Sequence, residues 1–247
     1  MKLAFPLAVA AALSLVLTAC GGDEPGGSAG PSSTPSVVVT PTESTPSDEP
    51  IATGPVKRTK AELTKALLEL ADLPSGFTLD EEDSEDGGTP FSSPTSKCKP
   101  LVKYLNADEA PGAKNSAHRS FTGGQKGPYI DFSLDSMNTS TAVGELQTSF
   151  KDAVTACKKV TMRVEGRGSS PMEVAEVTAP QFGENPFAFK LTGISGPLEG
   201  LEYSTAITGV GDVLLSVGIL AGQAGELDGA TEAAVEKARP ILAKSGG

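Results

Sequence analysis

The chain has 247 residues, 38% hydrophobic and 21% charged, a length that suits one ordinary domain or two small ones once any processed segment is set aside. Lys and Arg number 20 against 31 Asp and Glu, a formal net charge of −11, and an acidic chain with no basic tract repels phosphate backbones, which argues against nucleic acid as a partner. One His and no CxxC pair leave zinc and haem without a ligand set, so neither metal nor cofactor is expected.

Met1-Lys2 supplies a positive charge, and Leu3 to Leu17 is an apolar run broken only by Pro6 and Ser14. The run is too short to span a bilayer as a helix but fits a secretory signal over residues 1–19. It closes on Leu17-Thr18-Ala19-Cys20 followed by Gly21-Gly22, which resembles the bacterial lipobox. The resemblance implies cleavage before Cys20, whose thiol carries diacylglycerol. The mature chain would then be held on the extracytoplasmic face of the cell membrane. Asp23 and Glu24 give no electrostatic grip on anionic headgroups, so anchoring rests on the acyl chains.

Residues 20–55 are Cys20 and then almost entirely Gly, Ser, Thr, Pro and acid. Such a segment buries too little apolar surface to offset its ordering entropy and reads as a disordered tether, with a reach of roughly 30–35 Å. Residues 56–247 read as one folded extracellular domain, long enough to build a core unaided.

Within it, Thr59-Lys60-Ala61-Glu62 is a capping box, and Leu63, Leu67 and Leu70 predict a helix to about Asp72, where Pro74 and Gly76 block continuation. Phe77–Leu79 reads as a short strand. The acidic run from Asp80 to Asp86 lacks the spacing and turn glycine of a calcium loop and reads as a solvated loop. Lys97–Leu105 is a short helix, Ser116–Phe121 a strand, and Pro128–Met137 a clearer strand in which Ile130, Phe132 and Leu134 alternate with Asp131, Ser133 and Asp135. Val143, Leu146, Phe150, Val154 and Cys157 recur at helical spacing over Thr141–Cys157. Strands follow at Val160–Glu165, Glu173–Thr178, Phe187–Ile194, Leu201–Thr208 and Asp212–Leu220, the last two around a hairpin signal at Gly209-Val210-Gly211. Gly166-Arg167-Gly168-Ser169-Ser170 reads as an interstrand turn whose glycines do not match a phosphate loop. A closing helix spans Asp228–Lys244, with Pro240 expected to bend or end it. Consecutive hairpin-linked strands between helices predict an α+β fold: an antiparallel, twisted sheet with helices packed on it.

Of three cysteines, Cys20 is taken by the lipobox, leaving Cys98 and Cys157 as an even pair in an exported domain. They predict one intradomain disulfide pinning two helices, worth roughly 4 kcal/mol in the chain-entropy model.

The segments Leu67-Leu68, Ala71-Asp72-Leu73-Pro74-Ser75-Gly76-Phe77, Cys98 with Leu101, Ala153-Val154-Thr155-Ala156-Cys157 and Gly209-Val210-Gly211-Asp212-Val213-Leu214 together resemble the actinobacterial extracellular sensor-domain family. Members lie outside the mycobacterial receptor kinase H and in many lipoproteins. The resemblance implies a sheet with helices around a cleft, and an unidentified extracellular ligand. Kinase-linked members carry two disulfides, whereas this domain has cysteines for one. With no kinase or spanning segment in the chain, any signal is expected to pass through a separate partner.

An enzyme is not expected. His118 is the only imidazole, flanked by Ser116, Arg119 and Ser120, and residues 56–247 contain no GxSxG nucleophile elbow. Phe187, Phe189 and Tyr203 are candidate apolar contacts, although aromatics on strands are usually core, and the ligand-binding residues stay unassigned. The domain therefore reads as a ligand-binding or sensory module whose partner is an extracellular small molecule, a lipid or an envelope protein. The alternative is a carrier of lipid or other apolar cargo, for which the small residues of Gly218-Ile219-Leu220-Ala221-Gly222 would leave room or, equally, allow close packing. Cys20→Ala should abolish metabolic acyl labelling and move the chain from the membrane fraction to the soluble one; acylation that persists would refute the lipobox.

Overall fold

The structure, a computed structural model, describes residues 55–80, 90–124, 127–164 and 166–244. The signal segment, Cys20, the tether and the acidic run beyond Asp80 lie outside the described residues. Nine strands form one antiparallel sheet in the order β1-β3-β4-β9-β8-β7-β6-β5-β2. In chain order they are β1 (Thr78–Leu79), β2 (Phe91–Ser92), β3 (Asn115–Thr122), β4 (Tyr129–Ser136), β5 (Lys159–Val164), β6 (Gly168–Val177), β7 (Glu184–Gly193), β8 (Glu202–Val210) and β9 (Val213–Leu220). The helices are α1 (Lys60–Ala66), α2 (Lys99–Leu105), α3 (Ser140–Ala156) and α4 (Glu226–Lys244). The expected α+β antiparallel architecture is present. Among the described residues no helix is long and apolar enough to cross a membrane.

Period-two alternation sends each strand's side chains to two faces, and each face carries a buried cluster. On the first face Phe121, Ile130, Phe132, Leu134, Leu215, Val217 and Ile219 pack under α1 and α4. On the second, Val160, Met172, Val174, Phe187, Phe189, Leu191, Ile207 and Leu214 pack under α2 and α3. The Cys98–Cys157 disulfide, closing a loop of sequence separation 59, lies in this second cluster.

The capping box is present: the Glu62 N–H donates to Thr59 Oγ1 at 3.3 Å and the Thr59 N–H to Glu62 Oε2 at 2.7 Å. The helix it starts is shorter than the leucine spacing predicts. It ends at Ala66, Leu67 is extended, and a separate 3-10 turn covers Leu70–Asp72. Tertiary contacts win here: Leu67 and Leu68 are both buried, Leu70 is exposed, and the Leu68 carbonyl accepts from Arg119 Nη1 at 2.5 Å instead of from the next helical turn. Pro240 likewise does not end α4, which runs through it to Lys244. Ala238 and Leu242 on either side are buried, and that burial holds the last turn in place. Ser169 and Ser170, expected in a turn, belong to β6, where Ser170 Oγ accepts the Leu198 N–H at 3.0 Å. The hairpin falls one residue beyond the expected centre: Val210 pairs with Val213 around Gly211 and Asp212. Gly211 takes φ +61°, a value that costs glycine little.

That turn also anchors the chain ends. Arg58 and Asp212 form a buried ion pair, with Arg58 Nη2 at 2.5 Å and Nε at 2.9 Å from Asp212 Oδ1. Arg58 Nη1 donates to the Leu242 carbonyl at 2.9 Å. One guanidinium thus joins the lead-in to α1, the β8–β9 turn and the end of α4. Removing one partner strands the other charge in the interior. Asp212→Ala should lower unfolding free energy by about 3–5 kcal/mol, read from urea denaturation; a loss under about 1 kcal/mol would mean the pair behaves as an exposed one.

Candidate functional site

The helices of the second face pack over its β5–β9 half, and the buried cluster beneath them draws no residue from β3 or β4 among the described residues. The strand register places Ser116, His118 and Ser120 of β3 beside Asp135, Ser133 and Asp131 of β4 on that uncovered part. The polar half of β4's alternation, which the sequence shows plainly, faces this side. A crevice of about 160 Å³ opens where the polar surface meets the covered core. Its floor takes Ser133 and Asp135 from β4, Leu214 and Ser216 from β9, Tyr203, Thr205 and Ile207 from β8, and Phe189 from β7. Its roof is Tyr104 to Pro111, running from the end of α2 into the following loop, and Phe150 of α3 closes one wall.

Four contacts hold that roof. The disulfide ties the start of α2 to the residue after α3. The Tyr104 and Phe150 rings stack with centroids 4.1 Å apart. The Asn106 side chain pairs with the Phe91 backbone in both directions, at 2.9 and 2.7 Å. Finally, the Ala110 N–H donates to Asp135 Oδ1 at 3.1 Å, tying the roof loop to the floor.

Electrostatically the crevice is one-sided. Asp108, Glu109 and Asp135 line it, no Lys or Arg does, and none of these carboxylates joins an ion pair among the described residues. Burial pushes the Asp135 carboxyl upward; hydrogen bonds from Ser116 Oγ at 2.5 Å, the Ala110 N–H and Ser133 Oγ oppose the rise, and Glu109 adds to it. Asp131, which touches solvent yet is crowded by the surrounding strands, is raised chiefly by desolvation and also by Asp80, against a bond from Ser120 and the nearby His118. Desolvation and then the Asp131 charge push the Tyr203 phenol up to about 12.

Thr205 is the outlier in the crevice; among the described residues Gln147 Oε1 on α3, outside the lining, is the other buried side-chain atom without a partner. Thr205 is only 8% exposed, it lines the crevice, and its Oγ1 has no hydrogen-bond partner. The Tyr203 hydroxyl is near enough to feel it, but the two do not reach hydrogen-bond geometry. A buried hydroxyl without a partner costs about 1–3 kcal/mol; Thr208, three residues on, avoids that cost by donating to the Phe182 carbonyl at 2.7 Å.

Of the aromatic residues singled out from sequence, Phe189 and Tyr203 line the crevice, while Phe187 is buried beneath α3, stacked on Phe189 at 6.1 Å. Of the small residues of 218–222, Gly218 serves close packing, while Gly222 and its neighbour Ile219 line a separate space of about 310 Å³ beside the start of α4. A Cβ on Gly218 would lie 2.6 Å from the Tyr203 hydroxyl, and one on Gly222 2.5 Å from Ile219 Cγ2. His118 is exposed on β3, and among the described residues no hydrogen bond links it to a serine or a carboxylate. Cys98 and Cys157 are joined and buried, so they brace the site without offering a thiol to it. Sequence reasoning missed Thr205 and Ser216; the register that sets Ser216 beside Ser133, and Thr205 level with Asp131 across Gly218, is fixed only by the pairing of distant β4, β9 and β8.

No family model matches the chain, and no curated protein matches it. Among solved structures it is similar to the crystal structure of the extracellular domain of PknH from Mycobacterium tuberculosis. The TM-score is 0.58 at 14% identity, over 76% of this chain and 99% of that one. The two share a fold. At that identity the likeness concerns the arrangement of strands and helices, in line with the resemblance the sequence motifs carry.

The raised Asp135 carboxyl gives the site a pH signature. The folded state keeps a proton that the unfolded chain has already released, so this group's contribution is full below the unfolded value near 4 and is lost as pH rises through its higher folded value. Asp135→Asn keeps an oxygen for Ala110 and Ser116 but cannot ionise. Its stability relative to the parent should therefore climb as pH rises from about 4 through the raised folded value, by at most about 1.4 kcal/mol per unit, and level off in acid. Parallel stability curves from chemical denaturation would refute the desolvation of Asp135.

Proposed function

We propose that this chain is a lipid-anchored extracytoplasmic module of sensory type, which binds a small molecule in the crevice between the α2 loop and the β4-β9-β8 floor. The observation that carries the reading is Thr205: a buried hydroxyl left without a partner, on a floor whose other polar groups are paired or wet, leaves an interaction for a ligand to complete. The braced roof supports it, since a site held in its binding geometry loses little entropy on association. The shared fold with a receptor kinase's extracellular domain and the lipobox at Cys20 support a role outside the membrane, with the acyl chains as anchor and a separate partner to carry any signal.

Crevice volume favours a small ligand over apolar cargo. The space at Thr205 is about 160 Å³ and a second one, between Lys190, Glu202 and the start of α4, about 310 Å³. The first lies well below the roughly 300–1,000 Å³ of drug-sized sites, and both are partly polar where an acyl chain needs apolar walls. The test is native mass spectrometry of the mature protein purified from its own envelope, joined to amide shift mapping with the envelope's small-molecule extract. A small bound mass, or shifts centred on Ser133, Thr205 and Ser216, is the expected result. A bound lipid would establish the carrier instead, and an empty protein whose crevice amides ignore the extract would overturn the reading.

A further inference from the structure

We propose that the folded domain makes its own electrostatic contact with the membrane: an exposed basic patch, built around the disulfide and β5, docks on anionic lipid headgroups. The patch begins as two stretches of sequence. Residues 90–105 hold Lys97, Lys99 and Lys103, residues 153–164 hold Lys158, Lys159 and Arg163, and neither stretch contains an Asp or Glu, in a chain with 31 of them. Because the two lie far apart along the chain, no basic tract shows in the sequence; the fold joins them at two points. The Cys98–Cys157 bond, with Cα atoms 4.7 Å apart, places Lys97 and Lys99 on either side of one cysteine and Lys158 and Lys159 directly after the other. Farther along, β2 pairs with β5, and the Arg163 N–H donates to the Pro90 carbonyl at 2.7 Å.

All six basic residues are exposed, and none joins an ion pair among the described residues. Lys99 and Lys103 stand one turn apart on α2, and Lys159 and Arg163 share a face of β5 on either side of Thr161. That is the first face of the sheet, whose buried cluster draws no residue from β5 or β6 among the described residues. Thr161 pairs with Pro171, whose carbonyl accepts the Ile194 N–H at 3.0 Å, so Ile194, 40% exposed, adds an apolar side chain to the same row. Glu173, opposite Lys159 on β6, offsets one charge. The patch is thus a local reversal of sign on a chain of net charge −11, and cations spread over a helix and a strand complement an extended anionic surface better than one small anion. The tether supplies that surface. With Cys20 acylated, as proposed above, the domain stays within roughly 30–35 Å of the headgroups, and each Lys or Arg brought to an anionic leaflet adds to its retention. Acyl chains and a polybasic patch are the two kinds of signal that combine in stable attachment. Beyond its end α2 leads into Asp108 and Glu109 of the crevice roof, which the same headgroups repel, so a membrane that holds the start of α2 is kept off the crevice.

The test is sedimentation of the mature chain, carrying Cys20→Ser so that no acyl anchor contributes, with vesicles of pure phosphatidylcholine or of phosphatidylcholine with one third phosphatidylglycerol. At low ionic strength the chain should bind the anionic vesicles at least about tenfold more strongly than the neutral ones, and should come off them as salt is raised. Lys158→Gln with Lys159→Gln should weaken anionic binding at least about tenfold, at roughly fivefold per basic residue. Lys65→Gln with Lys244→Gln makes the same change in net charge at exposed positions on α1 and α4, and should leave binding within about twofold of the parent. Equal binding to both vesicles, binding to neither, or equal losses from the two double variants would each overturn the patch. Retention on immobilised polyglutamate by a chain that ignores both vesicles would assign the patch to an acidic protein and overturn the membrane. Because the acyl anchor is absent throughout, failure here leaves the lipid anchor and the ligand crevice to their own tests, and failure of either of those leaves the vesicle result unchanged.

Discussion

A sheet nine strands wide with apolar residues on both faces has to be covered, and among the described residues four helices cover only part of it. That mismatch shapes the rest of the molecule. Each strand must be apolar in both alternating sets where helices lie on both sides, as in β9, and in one set only where they do not. The β4 strand shows the second case: Phe132 and Leu134 go under the first-face helices, and Asp131, Ser133 and Asp135 go to the part of the second face that no helix reaches. The crevice is the seam between covered and uncovered sheet, where apolar floor from β7 and β8 meets hydroxyls and carboxylates from β4 and β9.

A seam becomes a site when its edge is rigid, and here the edge is the short segment after α2. Seven residues of helix would not hold a position alone. The segment is instead fixed from four directions: by the disulfide, by stacking on Phe150, by the Asn106–Phe91 pairing and by the Ala110 bond to the floor. The Ala110 bond couples roof to chemistry, because the carboxylate that fixes the loop is the desolvated one. Burial of Asp135 and the lack of a partner at Thr205 both cost stability. Both line one braced crevice, and groups that cost stability are the ones a ligand can relieve. The buried Arg58–Asp212 pair belongs to a different part of the problem: it closes the domain by tying its first and last elements to one turn.

Much of the scaffold was legible in the sequence. The capping box at Thr59, the apolar stripe from Val143 to Val154, the alternation of Ile130, Phe132 and Leu134, and the glycine turn before Val213 each encode a local element through spacing alone. The even pair of cysteines pointed to the bond that braces the site. Expectations drifted where a tertiary contact outbid a local preference: α1 stops at Ala66 because Leu67 and Leu68 are both needed in the core, and α4 runs through Pro240 because Ala238 and Leu242 are buried on either side. Ser169 and Ser170 read as turn residues and are strand residues, since one of them caps the Leu198 amide.

The candidate site was legible only in fragments. The polar half of β4 and the aromatics Phe189 and Tyr203 are visible as residues, and nothing in their spacing says that they meet. Glycines 218 and 222 fit an open cavity or tight packing equally well on paper; the Tyr203 hydroxyl lying over Gly218 decides for packing there, while Gly222 lines the space of about 310 Å³ beside the start of α4. By itself the sequence determined the apolar run closing on Cys20, the Gly, Ser, Thr and Pro-rich stretch after it, the helix and strand types and the cysteine pair, because each depends on residues close along the chain or on composition alone. Tertiary structure alone decided which face of β4 stays uncovered, which carboxyl loses its water and which threonine is left without a partner. Those outcomes depend on strand register across residues tens of positions apart, and only the assembled sheet fixes it.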